Sequence, residues 1–212
     1  MLCWCIATNI GPPNKEAQPR TEVAPLLASQ REMAIACMLE CGLSLGGYGG
    51  VALARAYIQE ALNRPDRLLI LLASSGPEVH GFLVVLRAPW TFWWGFLSRH
   101  PLLAMKMGAH ALRRAELSAD EIPSRWHSDS SGFQRILMIA VSASRRRRGM
   151  GRRLYMELFA GGQQDFLALV SPDNPASMAL HRSTGWSIES NGGSPQLATR
   201  KASPRDRSQV AF

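Results

Sequence analysis

Residues 136–159 read Ile136-Leu-Met-Ile-Ala-Val141, then Ser142-Ala-Ser-Arg145-Arg-Arg-Arg148-Gly149-Met-Gly151, then Arg152-Arg-Leu-Tyr-Met-Glu-Leu-Phe159. The first six form a short continuous apolar run, the pattern of a buried strand. The last block predicts a helix from Gly151 to Phe159, with Leu154, Leu158 and Phe159 on its inner side and Gly161 past its end. A helix N-terminus presents unpaired N–H groups and a partial positive charge. Glycine removes the side chains that would hold an anion away from those groups, and arginine adds forked donors. Strand, glycine loop and helix in this order therefore read as a pyrophosphate cradle in an α/β chain. There is no Gly-Lys-Ser/Thr of a nucleotide triphosphate loop. There is also no GxGxxG in a first βαβ unit with an acidic residue about 20 positions on, which argues against a dinucleotide fold.

The charge points to the same place. The 212 residues carry 24 Lys/Arg against 16 Asp/Glu, a formal net charge of +8. Arg145, Arg146, Arg147, Arg148, Arg152 and Arg153 supply six of those positive charges within nine positions. One basic loop suits a compact anion better than a long duplex backbone, so nucleic acid is not the expected partner. With 46% hydrophobic and 19% charged residues the composition is that of a globular chain. Cys3, Cys5, Cys37 and Cys41 lack a second Cys or His pair at zinc-ligand spacing and read as reduced thiols; no metal site is expected. The start shows neither a basic leader nor an apolar run before Gly11, and no apolar stretch reaches about 18 residues. The expectation is a cytoplasmic protein.

Outward from the loop, residues 1–20 and 202–212 are expected as tails around one domain over 21–201. Thr21 to Leu27 predicts a short edge strand, with Pro25 tolerable there. Ser29 to Glu32 has capping-box spacing before a helix from Gln30 to Cys41 that Gly42 closes. Val51 to Leu62 predicts a second helix ended by Pro65. Arg67–Ser74 and Val79–Leu86 predict a hairpin about Ser75-Gly76-Pro77. Phe166–Val170 predicts a strand, and Leu197–Lys201 a last one. Asn174 predicts a cap for a helix from Pro175 to about Ser183. Pro101 predicts the first turn of a helix inside an insertion at 90–130.

Val141, four residues, then Arg146-Arg-Arg-Gly149-Met-Gly151 strongly resembles the acetyl-CoA signature of the GNAT superfamily of acyltransferases. Asn174 to His181 and on to Gly185-Trp186 resembles that family's second motif, an Asn-initiated helix ending in Gly-aromatic. The resemblance implies a mixed, strongly twisted α/β sheet with helices on both faces. It also implies that the backbone of Ile139, Ala140 and Val141 pairs with the pantetheine arm of acetyl-CoA. Arg146 and the N–H groups of Arg147, Arg148, Gly149, Met150, Gly151 and Arg152 would hold the pyrophosphate. Asn174 would bond the pantetheine arm or cap its helix, with Ser177 alongside. The family often carries at position 181 a Tyr that protonates the departing thiolate. This chain has His181, and imidazole can also donate a proton. Packing beside the cofactor is the other reading of His181. Relatives often place a Glu near the stretch Gln134-Arg135-Ile136-Leu137, which has no carboxylate here. Glu121, Asp129 or His127 through water are alternative bases, and His80 reads as a packed strand residue.

The implied function is transfer of acetyl from acetyl-CoA to a primary amine of a small molecule by direct attack. The alternatives are acylation of a protein or peptide, or a non-catalytic module binding CoA or nucleic acid. The run Trp90, Phe92, Trp93, Trp94, Phe96 has three readings. It packs on the core, it lines the acceptor site, or with Arg99, Lys106, Arg113 and Arg114 it touches a membrane surface peripherally over 90–114.

Overall fold

The computed structural model describes residues 21–43, 50–103, 105, 132–161, 164–189 and 196–202. The expected tails therefore lie almost wholly outside the described residues, as do 106–131 of the insertion, including Glu121, His127 and Asp129.

The strands are β1 (Glu22–Pro25), β2 (Leu68–Ser75), β3 (Glu78–Leu86), β4 (Phe133–Val141), β5 (Asp165–Val170), β6 (Ser187–Glu189) and β7 (Gln196–Arg200). The helices are α1 (Arg31–Met38), α2 (Gly50–Asn63), α3 (Pro89–Arg99), α4 (Met150–Ala160) and α5 (Pro175–Ser183). The strands form one mixed sheet in the order β1-β2-β3-β4-β5-β7-β6. All neighbours are antiparallel except β4 and β5, which are joined through α4.

Alternation along β2 and β3 divides the core between the two faces of the sheet. Ile70, Leu72, Phe82 and Val84 join α1, α2 and α3 on one side. Leu71, Leu83 and Val85 join α4 and α5 on the other. With helices on both faces, these strands read as continuous apolar runs. The alternation breaks once on β4. Val84 pairs with Met138 and Val85 with Ile136, so Leu137 is a bulge residue. The extra residue lets Leu137 and Met138 both pack on the α1–α3 side while Ile136 and Ile139 face α4.

The ladder between β4 and β5 is short. It runs from Phe133↔Asp165 to Ile136↔Ala168 and stops, while β4 continues five residues to Val141. A split thus opens between the two parallel strands, and β4 leads from it into the arginine loop.

Local chemistry moved several boundaries. The entry to α1 is a 3-10 turn over Ala28–Gln30, where the Leu27 N–H donates to Gln30 Oε1 at 3.2 Å. That return bond comes two residues earlier than the expected Ser29–Glu32 pair, and Gln30 carries it. After α1 the chain widens into a π turn, Leu39–Leu43, in place of a stop at Gly42. In the insertion, Pro89 opens the aromatic helix, its fixed φ suiting the first turn, and a second helical stretch begins at Pro101, as expected. The three-residue β6 had no apolar run to announce it.

The aromatic helix divides its residues. Phe92 and Phe96 are fully buried, stacked on each other at 5.3 Å and against Tyr57 of α2. Trp93 is half-buried, and Trp94 is 72% exposed. Arg99 grips buried Glu60 of α2 with two short bonds, Nε to Oε1 at 2.6 Å and Nη2 to Oε2 at 2.5 Å. The described part of this segment is therefore core at its centre. Its position, against the C-terminal half of α2, follows from those contacts.

Candidate active site

The arginine loop leaves β4 at Ser142 and makes a 3-10 turn over Ala143–Arg145. The Ser142 N–H donates to the His80 carbonyl at 2.8 Å, fastening the loop's start to β3. Gly149 caps α4 in the left-handed region, φ +74° and ψ +7°. A glycine reaches that conformation without strain. Arg147 reaches φ +59° with a side chain, an uncommon conformation for a residue other than Gly, Asn or Asp. The N-terminus of the 11-residue α4 thereby ends the loop with its first-turn N–H groups exposed to an anion.

The expected arginines do not act alike. Arg145 turns away, its Nη2 lying 3.7 Å from Glu78 of β3. Arg146 folds back so that Nε donates to the Val141 carbonyl at 3.1 Å. Among the described residues its Nη1 is buried without a hydrogen-bond partner. A buried guanidinium donor left unpaired costs free energy. Gly149 and Gly151 also differ. Among the described residues beyond its chain neighbours, no heavy atom lies within 4 Å of the Cβ position at Gly149, whereas a Cβ at Gly151 meets Leu180 Cδ2 at 3.0 Å. Gly149 serves the backbone conformation, and Gly151 serves the close approach of α4 to α5.

Asn174 is buried, and its Oδ1 accepts from the Ser177 N–H at 3.0 Å, so the capping alternative is the one seen. Ser177 and His181 have no exposed surface. His181 Nδ1 lies 2.8 Å from the Ser177 carbonyl, which only accepts, so Nδ1 carries the proton. Nε2 then accepts from the Tyr155 hydroxyl at 2.9 Å, tying α5 to α4. Trp186 packs on the same ring at 5.0 Å. Burial pushes the imidazole down to about 4, partly opposed by its bond to Ser177. In this arrangement His181 is neutral and has no proton on the nitrogen that faces Tyr155. Both ring nitrogens are therefore engaged between the two helices.

One consequence is measurable. An unfolded imidazole takes a proton near pH 6.5, whereas the folded one resists until about pH 4. His181 thus contributes stability that is full above pH 6.5 and is lost as pH falls toward 4, about 3 kcal/mol at most. His181→Phe flattens that part of the stability–pH curve, read from urea midpoints, while leaving the Tyr155 hydroxyl without its acceptor.

Sequence reasoning missed a second feature beside the loop. A cavity of about 460 Å³ lies among Cys37 and Glu40 of the α1 end, Glu78 and His80 of β3, and Ser142 and Arg145. None of its lining residues comes from the aromatic segment. Each of these residues is ordinary in sequence; only the antiparallel pairing of β3 with β4 brings Glu78 and His80 next to Ser142. Cys37 and Cys41 are buried free thiols, as expected. Among the described residues there is no cluster of metal-binding side chains, and no helix is long and apolar enough to cross a membrane.

No family model matches this chain, and no curated protein does. Solved structures do. A GNAT-family protein from Desulfovibrio desulfuricans matches with TM-score 0.57 at 12% identity, over 87% of this chain and 100% of that one. The PaiA N-acetyltransferase of Thermoplasma acidophilum, solved in complex with coenzyme A, matches with TM-score 0.54 at 12% identity, over 86% and 99%. The ribosomal-protein-S18-alanine N-acetyltransferase of Escherichia coli matches with TM-score 0.50 at 13% identity, over 85% and 91%. The chain has the GNAT acetyltransferase fold.

Proposed function

We propose that the chain is an acetyl-CoA-dependent N-acetyltransferase acting on a primary amine of a small molecule. The observation that carries this reading is the arginine loop at the mouth of the β4–β5 split. That loop carries a left-handed glycine at the N-terminus of α4 and, among the described residues, a buried Arg146 Nη1 with no hydrogen bond, and these groups suit a diphosphate. The residues present fit that group in charge and in donor number. That a protein of the same fold was solved with coenzyme A supports the same reading.

On this proposal Arg146 and the N–H groups from Arg147 to Arg152 hold the pyrophosphate. The backbone of Ile139, Ala140 and Val141 lies where β4 has outrun its β5 partner, and it takes the pantetheine arm as an added strand. The bound thioester supplies an activated acetyl group. The chain orients it, excludes water and offers backbone N–H groups of β4 to the carbonyl oxygen. His181 and Tyr155 keep α5 against α4, so the second motif frames the site without moving a proton.

The test is thiol release from acetyl-CoA in the presence of small amines and of peptides with free N-termini. Amine-dependent thiol release with N-acetylated product on a small amine supports the proposal. Release only with peptides shifts it to protein acylation. Coenzyme A binding with no release from any acceptor would favour a non-catalytic module.

A further inference from the structure

The cavity beside the arginine loop has a chemical character of its own. Two carboxylates stand at its lining, Glu40 from the α1 end and Glu78 from β3, against one guanidinium, Arg145. Arg145 is 3.7 Å from Glu78 and so offsets one carboxylate only. A local negative excess is unexpected beside the most basic segment of a chain with net charge +8. Between the carboxylates the lining is apolar, with Met33, Ala36, Pro77 and Val79.

Two lining residues also carry buried polar atoms without partners among the described residues. His80 Nε2 has no hydrogen bond, and the side chain is 7% exposed. Ser142 Oγ has none either, and Ser142 is 4% exposed. Glu78 Oε2 lies 3.7 Å from His80 Nε2, beyond hydrogen-bond length. Burial and the neighbouring Arg145 hold the His80 imidazole below its ordinary value, and in the tautomer with its proton on Nδ1 the neutral ring presents Nε2 as an acceptor. Unsatisfied buried acceptors next to carboxylates call for a donor with positive charge.

We propose that this cavity is a binding site for a small organic ammonium ion with an apolar body. The ammonium group sits between Glu78 and Glu40 and donates toward His80 and Ser142, and the apolar part covers Met33, Ala36 and Val79. A volume of about 460 Å³ falls within the range of small-ligand pockets. The site also touches the loop. Glu78 holds Arg145 in the turn that precedes the diphosphate cradle, so a cation that competes for Glu78 releases Arg145. Ammonium binding and coenzyme A binding are therefore coupled, each changing the other's affinity by the same factor. The proposal concerns binding and stands whether or not the chain transfers acyl groups.

Phenethylammonium is the probe, with 2-phenylethanol as its neutral counterpart, both titrated calorimetrically into the full chain with and without coenzyme A. The expected result is saturable binding of the amine, at least fivefold weaker binding of the alcohol, and at least a fivefold loss for the Glu40→Gln/Glu78→Gln variant. Both glutamates are exposed, so the variant keeps its fold, and an unchanged melting temperature verifies this. With acetyl-CoA present, mass spectrometry separates two sources of the ligand. Acetylation of the probe identifies the site as that of the acceptor, and binding without acetylation identifies a separate effector; both uphold the site. No saturable amine binding, equal binding of the alcohol, or parental affinity in the folded double variant would overturn it.

Discussion

Gly149→Val reduces coenzyme A affinity by about tenfold to a hundredfold while the protein stays folded. The cause is the backbone and not a lack of room, since among the described residues beyond its chain neighbours no heavy atom lies within 4 Å of a Cβ at this position. At φ +74° a β-branched residue is strained by about 1–3 kcal/mol. The chain escapes by leaving the left-handed region, and the first-turn N–H groups of α4 then lose their common direction. Gly151→Ala separates this effect from packing. Its methyl group presses on the end of Leu180, a flexible contact at 3.0 Å, so it loosens α4 against α5 and lowers the melting temperature more than the affinity. Calorimetry on both variants decides. Parental affinity in a folded Gly149→Val protein would remove the loop from the site.

Phe96→Ala destabilises the fold by about 3–5 kcal/mol, the range for deleting a buried aromatic ring. Phe96 has no exposed surface and touches Tyr57, Phe92, Trp93 and His100. Trp94→Ala, two residues away and 72% exposed, changes stability by about 0.5 kcal/mol or less. Denaturant midpoints of the two variants measure the contrast. Similar losses would mean that Trp94 is covered by another part of the chain. Loss of vesicle binding in Trp94→Ala, with stability unchanged, would favour the membrane reading of this segment.

What the sequence disclosed follows from which interactions are local. The strand, the arginine loop and the helix after it stand within 24 consecutive residues, and their periods change at the glycines. The Asn174 cap and Pro175 start are equally local, and both fall where expected. The hydrogen bond of His181 was not legible, because it depends on Tyr155, 26 positions away on another helix. The aromatic run was ambiguous for a related reason. Its residues are alike in sequence, and only the approach of α2 sorts Phe92 and Phe96 from Trp94. The cavity was the least legible feature, since its carboxylates and its imidazole come from the π turn after α1 and from β3, which are far apart in sequence.

The four-residue ladder from Phe133↔Asp165 to Ile136↔Ala168 leaves the sheet's backbone pairing in two units joined at a seam. On one side lies the antiparallel run β1 to β4, and on the other β5, β7 and β6. Among the described residues this ladder is the whole backbone pairing between them. Amide protons at such a seam exchange with solvent through openings smaller than global unfolding. A ligand that pairs with β4 and rests on α5 spans both units. It would act as a clasp, slowing exchange at Phe166 and Leu167 although it touches neither.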